Sequence, residues 1–134
     1  MDLASAICLV DLPGYGYAKA SKKAVAAWTR LVNTYLKGRP NLIRVFLLID
    51  ARHGTKEIDQ ELMKTLDMAA VNYQPVITKI DKISRSELET RLASLHAEFS
   101  THVAAHPHII ATSANERAGV EDLRAEIASL AQLQ

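Results

Sequence analysis

Three short motifs in this chain carry residue types that suit nucleotide chemistry, and the first is Asp-Leu-Pro-Gly at residues 11–14. The carboxylate of Asp11, at the end of a strand, can face a magnesium ion through water. The amide of Gly14 can approach a terminal phosphate because glycine has no Cβ. An ordinary turn is the alternative, since proline and glycine often end strands. Alone, the motif indicates these contacts only weakly.

The second motif is Thr78-Lys79-Ile80-Asp81, which follows an apolar run. The Asp81 carboxylate can accept two parallel hydrogen bonds from the N1–H and N2 amino groups of guanine, a donor pair that adenine does not offer. The stem of Lys79 can cover the plane of the base, with its ammonium near the ribose. A Lys-x-Asp triplet is also common on charged surfaces, so a solvated loop is the alternative.

The third motif, Thr112-Ser113-Ala114, follows the last apolar run. Its small side chains let the backbone approach the O6 atom of guanine, and the Ala114 amide is the candidate donor. The three motifs occur in order, each after a predicted strand. Their separations accommodate complete strand–helix units, which need about 30 residues each. Together they predict a guanine nucleotide site.

The apolar pattern predicts the elements that must position these motifs. Apolar runs at 6–10, 44–49, 75–78 and 108–112 predict buried strands. Amphipathic helices are predicted by the apolar stripes within 25–36, 58–66, 88–99 and 120–130, and Ser84 with Glu87 forms a capping box before the third helix. Strand–helix alternation with strands apolar on both faces predicts an α/β fold with a parallel sheet between helices, and ligands bind such sheets at the strands' carboxyl ends.

Composition favours one domain spanning residues 1–134. The chain has 49% apolar residues and a net charge of +1, which predicts no strong nucleic-acid or membrane partner from overall charge. Its single cysteine, Cys8, is expected to be a small buried hydrophobe in a reducing cytoplasm. No pattern of a signal peptide or membrane span is present. The five histidines lack cysteine partners and rigid spacing, which disfavours a zinc site.

The motifs at 11–18 (Asp-Leu-Pro-Gly-Tyr-Gly-Tyr-Ala), 78–81 and 112–114 resemble the G3, G4 and G5 motifs of TRAFAC-class GTPases, and within that class those of the EngB/YsxC/YihA family. Asp50-Ala51-Arg52-His53 and Asp59-Gln60 are further matches. The resemblance implies a partial Ras-like P-loop GTPase fold and a cytoplasmic protein that binds and hydrolyses GTP with Mg²⁺. It also implies a role in assembly of the large ribosomal subunit in bacteria, a link with cell division and septation, ribosomal RNA or proteins as partners, and no membrane.

One feature of such GTPases is missing from this sequence. Phosphate cradling needs the pattern G-x-x-x-x-G-K-[ST], and none of the five glycines begins it. The resemblance places this loop and its strand before the G3 motif. We therefore expect a C-terminal portion of a GTPase domain, inactive as an isolated chain, with GTP or GDP and Mg²⁺ bound by the intact parent.

Hydrolysis poses a separate question, because Tyr15 follows Gly14 where Ras-like enzymes place a water-orienting glutamine. Another group or the ribosome would have to replace that amide. Arg52 and His53 are candidates because they follow a strand end. A helix-capping or loop-packing role is an equal alternative for both residues.

A missing strand has a structural consequence. In a Ras-like sheet the strand before the phosphate loop lies between the G3 strand and the strand that ends at Asp50. Without it, two inner edges lack partners, and we expect them to pair with each other or to recruit another chain, for example in a homo-oligomer.

A catalytically inactive GTPase-like module that binds ribosomal RNA or protein is the alternative function. Its basic surface would comprise Lys19, Lys22, Lys23, Arg30, Lys37 and Arg39. A solvated helix face would explain the same charges.

Overall fold

The computed structural model describes residues 7–11, 22–38 and 41–131, and the α/β prediction is confirmed. The helices are α1 (Lys22–Lys37), α2 (Glu57–Ala69), α3 (Arg85–Phe99) and α4 (Val120–Leu130). The strands are β1 (Val45–Asp50), β2 (Tyr73–Thr78) and β3 (Ile110–Ala111), and a short 3₁₀ turn spans Ile80–Lys82. The strands form one parallel sheet in the order β1-β2-β3.

The register of the sheet aligns the ends of its strands. Asp50, the last residue of β1, pairs with Thr78, the last residue of β2. On the other side of β2, Ile77 pairs with Ala111 at the end of β3. Carboxyl ends of parallel strands meet at one edge, so the loops after all three strands emerge side by side.

The main core lies between one face of the sheet and helices α1, α2 and α3. It buries Val32, Leu36, Leu47, Ile49, Met63, Leu66, Tyr73, Ile77, Leu95 and Phe99. Each such fully buried aliphatic side chain contributes about 1.5–3 kcal/mol relative to an exposed one. Ser84 and Glu87 form the predicted capping box of α3.

Helix α4 lies on the opposite face of the sheet. Arg44 donates to Gln74 and to Glu126 of α4, and it so connects the start of β1 with that helix. Val76, Ile110 and Leu130 are buried on this side. Helices therefore cover both faces of β2, as the apolar run of Pro75, Val76 and Ile77 predicts.

The predicted first strand is the main error. Within residues 7–11 only Cys8 forms an isolated bridge, and Cys8 is exposed where we expected a buried thiol. The side chains of Leu9 and Val10 are 43% and 55% exposed. An apolar run becomes a buried strand only between neighbouring strands and helices, and no strand of the described sheet pairs with these residues.

Two further apolar side chains are exposed where the sequence predicts burial. The predicted apolar stripe of α1 includes Leu31, which is exposed, whereas Val32 and Leu36 are buried. In β1, Leu48 is 59% exposed, whereas its neighbours Leu47 and Ile49 are buried. Strand bounds also shift, since β2 starts at Tyr73 where it pairs with Val45.

In the described residues, no helix combines the length and the apolar character needed to cross a membrane.

Gly119 fixes the approach of the chain to the end of β3, and its replacement by alanine should destabilise the fold. Its φ is +71°, and an added Cβ would lie 2.0 Å from the Ala111 carbonyl oxygen. We expect Gly119→Ala to lower the free energy of unfolding by about 2 kcal/mol or more. Equilibrium urea denaturation measures the change.

Gly38→Ala is the matched control for this prediction. A Cβ at Gly38 would meet only ordinary contacts, the nearest at 3.5 Å. Its stability should stay unchanged or rise by up to about 1 kcal/mol. Equal effects of the two substitutions would contradict the close approach at Gly119.

Candidate nucleotide-binding site

Hydrogen bonds between Ile77 and Thr112 join the loops that carry the second and third motifs. The Ile77 carbonyl accepts from the Thr112 amide at 2.7 Å and from the Thr112 hydroxyl at 2.8 Å. The Ile80 amide in turn donates to the Thr112 carbonyl at 3.2 Å. On the β1 side, the Ala51 amide donates to the Thr78 carbonyl at 2.9 Å. These contacts hold the three strand ends in one arrangement.

Asp81 and Ser113 meet across this junction. The buried Ser113 hydroxyl donates to Asp81 Oδ1 at 2.8 Å and accepts from the Glu116 amide at 3.1 Å. The bond from Ser113 is the main reason that the pKa of Asp81 is lowered. Only 8% of the Asp81 side chain is exposed. The result is an ionised carboxylate with a fixed direction, which is an acceptor ready for a pair of donors.

Lys79 precedes Asp81 by two residues, and Ala114 directly follows Ser113. The backbone of Lys79 is left-handed, with φ +60°, and the 3₁₀ turn of Asp81 follows directly. The Lys79 side chain is 55% exposed and its ammonium lies 3.7 Å from Asp50 Oδ2. Ala114 is exposed, and in the described part of the chain its amide has no hydrogen-bond acceptor. Thr78 contributes backbone contacts and a hydroxyl bond to the Ile49 carbonyl at 3.4 Å.

The loop after β1 lies next to the loop after β2 at the same end of the sheet. Arg52 donates to Asp50 through its backbone amide and through two guanidinium nitrogens, at 2.9, 3.1 and 2.8 Å. These bonds lower the pKa of Asp50 and raise the pKa of Arg52. The negative charge of Asp81 also helps to raise the pKa of Arg52. Arg91 of α3 donates to the Ala51 and Arg52 carbonyls. The guanidinium of Arg52 is thus committed to Asp50, while His53 is exposed.

The structure brings five of the predicted site residues to one edge of the sheet: Thr78, Lys79, Asp81, Ser113 and Ala114. Asp11 is exposed, and within the described residues no hydrogen bond or ion pair joins it to that group. Gly14 and Tyr15 lie outside the described residues. Asp59 caps α2 by accepting from the Lys56 amide at 2.8 Å, and burial raises its pKa.

The contribution of Arg91 to the loop after β1 was not predicted. No local pattern links an arginine in the middle of α3 to carbonyls some 40 residues earlier. Gly54 gives a partial signal, because a Cβ there would lie 2.5 Å from the Arg91 guanidinium. The Asp50-x-Arg52 spacing is the other signal, since an aspartate often accepts from the amide two residues on.

Three of the five histidines lie at the opposite end of β2. A cavity of about 250 Å³ is lined there by His96, His102 and His106 among others, next to the first residue of β2, Tyr73. His102 pairs with Asp67 at 2.5 Å. In the described residues, no group of three or more histidine, cysteine, aspartate or glutamate side chains is arranged to hold a metal. The five predicted site residues that the structure brings together lie at the other end of β2, a strand's length away.

Comparison with known proteins shows the family to which the chain belongs. A family model described as the elongation factor Tu GTP binding domain matches residues 41–133. Probable GTP-binding proteins EngB of Rhodospirillum rubrum and Bradyrhizobium diazoefficiens are 56% and 52% identical over 94% and 91% of this chain. The chain therefore belongs to the GTP-binding domain class and, within it, to the EngB family. It spans about half the length of these relatives, covering 54% and 56% of them.

Solved structures support the fold. The translation elongation factor SelB of Methanococcus maripaludis in its apo form has a TM-score of 0.72 at 22% identity, covering 92% of this chain and 24% of SelB. The same factor in complex with the GTP analogue GppNHp has a TM-score of 0.64 at 24% identity, covering 75% and 22%. These similarities concern the fold, and they agree with the partial Ras-like GTPase fold expected from the sequence.

Ser113→Ala should raise the pKa of Asp81 toward the ordinary value of an aspartate, because the hydroxyl bond favours the charged carboxylate. A lowered folded-state pKa gives stability that is present above the pKa of the unfolded carboxyl and is lost as pH falls. The variant should therefore lose less stability than the wild type on acidification below about pH 4. NMR titration of the Asp81 carboxyl carbon measures the shift.

Ser84→Ala is the control for that titration. Ser84 also lies beside a carboxylate at the start of α3, where its amide donates to the Glu87 carboxylate and its hydroxyl accepts from the Glu87 amide. This variant should leave the Asp81 titration unchanged. An Asp81 pKa that is the same in Ser113→Ala and in the wild type would show that the hydroxyl does not hold the carboxylate.

Proposed function

We propose that residues 1–134 are the guanine-recognising C-terminal portion of a GTPase domain. The observation that carries this proposal is the ionised Asp81 carboxylate, held by Ser113, with the exposed residue Ala114 directly after Ser113. Guanine presents two donors on one edge and an acceptor, O6, next to them. Asp81 would accept from N1–H and from the N2 amino group, and the Ala114 amide would donate to O6. Adenine offers neither the donor pair nor the acceptor.

Lys79, Thr78 and Ser113 complete the proposed base site. The stem of Lys79 would cover the base plane with its ammonium near the ribose. Ser113 would hold Asp81 in place without touching the base, because its hydroxyl is buried and already bonded on both sides. Thr78 would fix the loop through its bonds to β1.

Phosphates and metal belong to the parent protein in this proposal. Asp11 offers an exposed carboxylate, an oxygen ligand of the kind that Mg²⁺ accepts, directly or through water. Gly14 would approach the terminal phosphate. No G-x-x-x-x-G-K-[ST] sequence exists to cradle the remaining phosphates, so the chain alone does not fit a whole GTP or GDP molecule. The parent would bind and hydrolyse GTP with Mg²⁺ in the bacterial cytoplasm and assist assembly of the large ribosomal subunit, where ribosomal RNA or proteins are its partners.

Asp81→Ala in the parent protein should abolish its preference for guanine nucleotides. Losing one bidentate contact to a base should weaken GDP binding roughly 10- to 100-fold and leave the weak binding of ADP unchanged. Competition titrations with fluorescent GDP measure both affinities. Asp122→Ala, which removes an exposed carboxylate on α4, is the matched control and should bind like the wild type.

Two outcomes would contradict the proposed function. Unchanged selectivity in Asp81→Ala would show that this carboxylate does not read the base. If the 134-residue chain ignored GDP and bound ribosomal RNA with a steep salt dependence, the inactive interaction module would be the better account. The exposed cations of α1 would then be its surface: Lys22, Lys23, Arg30 and Lys37.

We also propose that the side of β1 that faces away from β2 pairs with a second copy of this chain. Within the described residues β1 pairs only with β2, and Leu48 lies exposed beside the open edge. Sedimentation velocity should show concentration-dependent association, because an unpaired strand edge is a template for further pairing. Leu48→Lys should weaken association. Met68→Lys, which replaces an equally apolar exposed residue at the end of α2, should not. A monomer at all concentrations would contradict this proposal.

A further inference from the structure

Asp50 occupies a position that its role as the end of a strand does not require. It terminates β1, yet its carboxylate receives the Arg52 amide and both ends of the Arg52 guanidinium fork. The same carboxylate lies 3.7 Å from the Lys79 ammonium, which comes from the loop after the neighbouring strand. Asp50 therefore links two loops through charge.

The carboxylate of Asp50 is held rigidly. Its side chain is 20% exposed, so most of it is withdrawn from water. Arg91 of α3 donates to the Ala51 carbonyl at 3.2 Å and to the Arg52 carbonyl at 3.3 Å. The Arg52 backbone is thus fixed from behind, and its side chain in turn fixes Asp50. Because both carboxylate oxygens accept from Arg52, the Asp50 carboxylate is held in one orientation, and its Oδ2 also faces Lys79.

Lys79 needs such a support. A lysine ammonium is a point charge on a flexible four-carbon stem, which loses much freedom when it is held in one place. The side chain is 55% exposed, so packing alone does not confine it. The left-handed backbone at Lys79 sets the start of the stem, and Asp50 receives its far end. The Lys79 stem is therefore held at its backbone end and at its ammonium end.

We propose that Asp50 is a positioning residue of the guanine site. It holds the Lys79 ammonium, so that the lysine stem already lies where it would cover the base before the nucleotide binds. This inference rests on the proposed function. Arg52 aligns the Asp50 carboxylate by donating to both of its oxygens, so that one arginine, one aspartate and one lysine form a chain of alternating charge across the two loops. Neither Asp50 nor Arg52 touches the base in this arrangement.

A double-mutant cycle in the parent protein tests the coupling. Asp50→Asn keeps an acceptor for Arg52 but removes the charge that attracts Lys79, and it should weaken GDP binding roughly threefold to fivefold, as for a partly exposed ion pair. Lys79→Met keeps an apolar stem without the ammonium. In the Lys79→Met background, Asp50→Asn should change GDP affinity no further. Asp122→Asn, on the exposed surface of α4, is the control for loss of a carboxylate.

The outcomes separate this inference from the proposed function. If the wild type prefers GDP to ADP but Asp50→Asn has no effect, or has the same effect with and without Lys79, then Asp50 does not position the lysine and the guanine site stands. If the wild type shows no preference for GDP, both proposals fail.

NMR of the Lys79 side chain in the 134-residue chain gives a second readout without nucleotide. Asp50→Asn should increase the mobility of the Lys79 Cε methylene, and equal mobility in the two proteins would overturn the inference. Urea denaturation of both proteins reports any general loss of structure, which would affect other lysine side chains such as Lys64 as well.

Discussion

The arrangement at the candidate site depends on the bonds between Ile77 and Thr112. One carbonyl of β2 accepts both the amide and the hydroxyl of Thr112, and the Thr112 carbonyl accepts from Ile80 in return. These bonds lie where both strands end, so they fix the directions in which the two following loops leave the sheet. The contact between Asp81 and Ser113 is one residue further along each loop. A small change in the strand register would separate that pair.

The site also depends on backbone conformations that are uncommon for the residues that adopt them. Lys79 is left-handed although it carries a Cβ, which costs about 1–2 kcal/mol. The 3₁₀ turn that begins with Ile80 compensates part of this cost through its own hydrogen bonds. Gly119 adopts a similar φ without penalty and lets the chain pass within contact distance of the Ala111 carbonyl. Strain at Lys79 therefore lies in the loop that would hold a ligand. The loop after β3 contains a left-handed residue with a Cβ as well, Arg117 at φ +56°, before it reaches Gly119.

The sheet of the described residues is unevenly supported. Its β2 strand is buried on both faces and both edges, because β1, β3 and all four helices surround it. By contrast β1 has a partner on one edge only, and Leu48 is exposed. The loops that we assign to base recognition follow β2 and β3, which are at the well-supported side. The loop after β1 is held by the buried Ala51 and by the hydrogen bonds of Asp50, Arg52 and Arg91.

The sequence by itself predicted the α/β class, the order of the four helices and of strands β1 to β3, and five residues that the structure brings to one end of the sheet. Apolar periodicity is a local property, and motifs at strand ends converge whenever the strands are parallel. Only the tertiary structure decided that Ser113 bonds Asp81, that Asp50 holds Lys79 and that Arg91 supports the loop after β1. These contacts join residues about 30 to 40 positions apart, so no local pattern contains them. The exposure of Cys8, Leu9 and Val10 was decided at the same level. An apolar run specifies that a strand can be buried, but burial requires neighbours that the run does not itself supply.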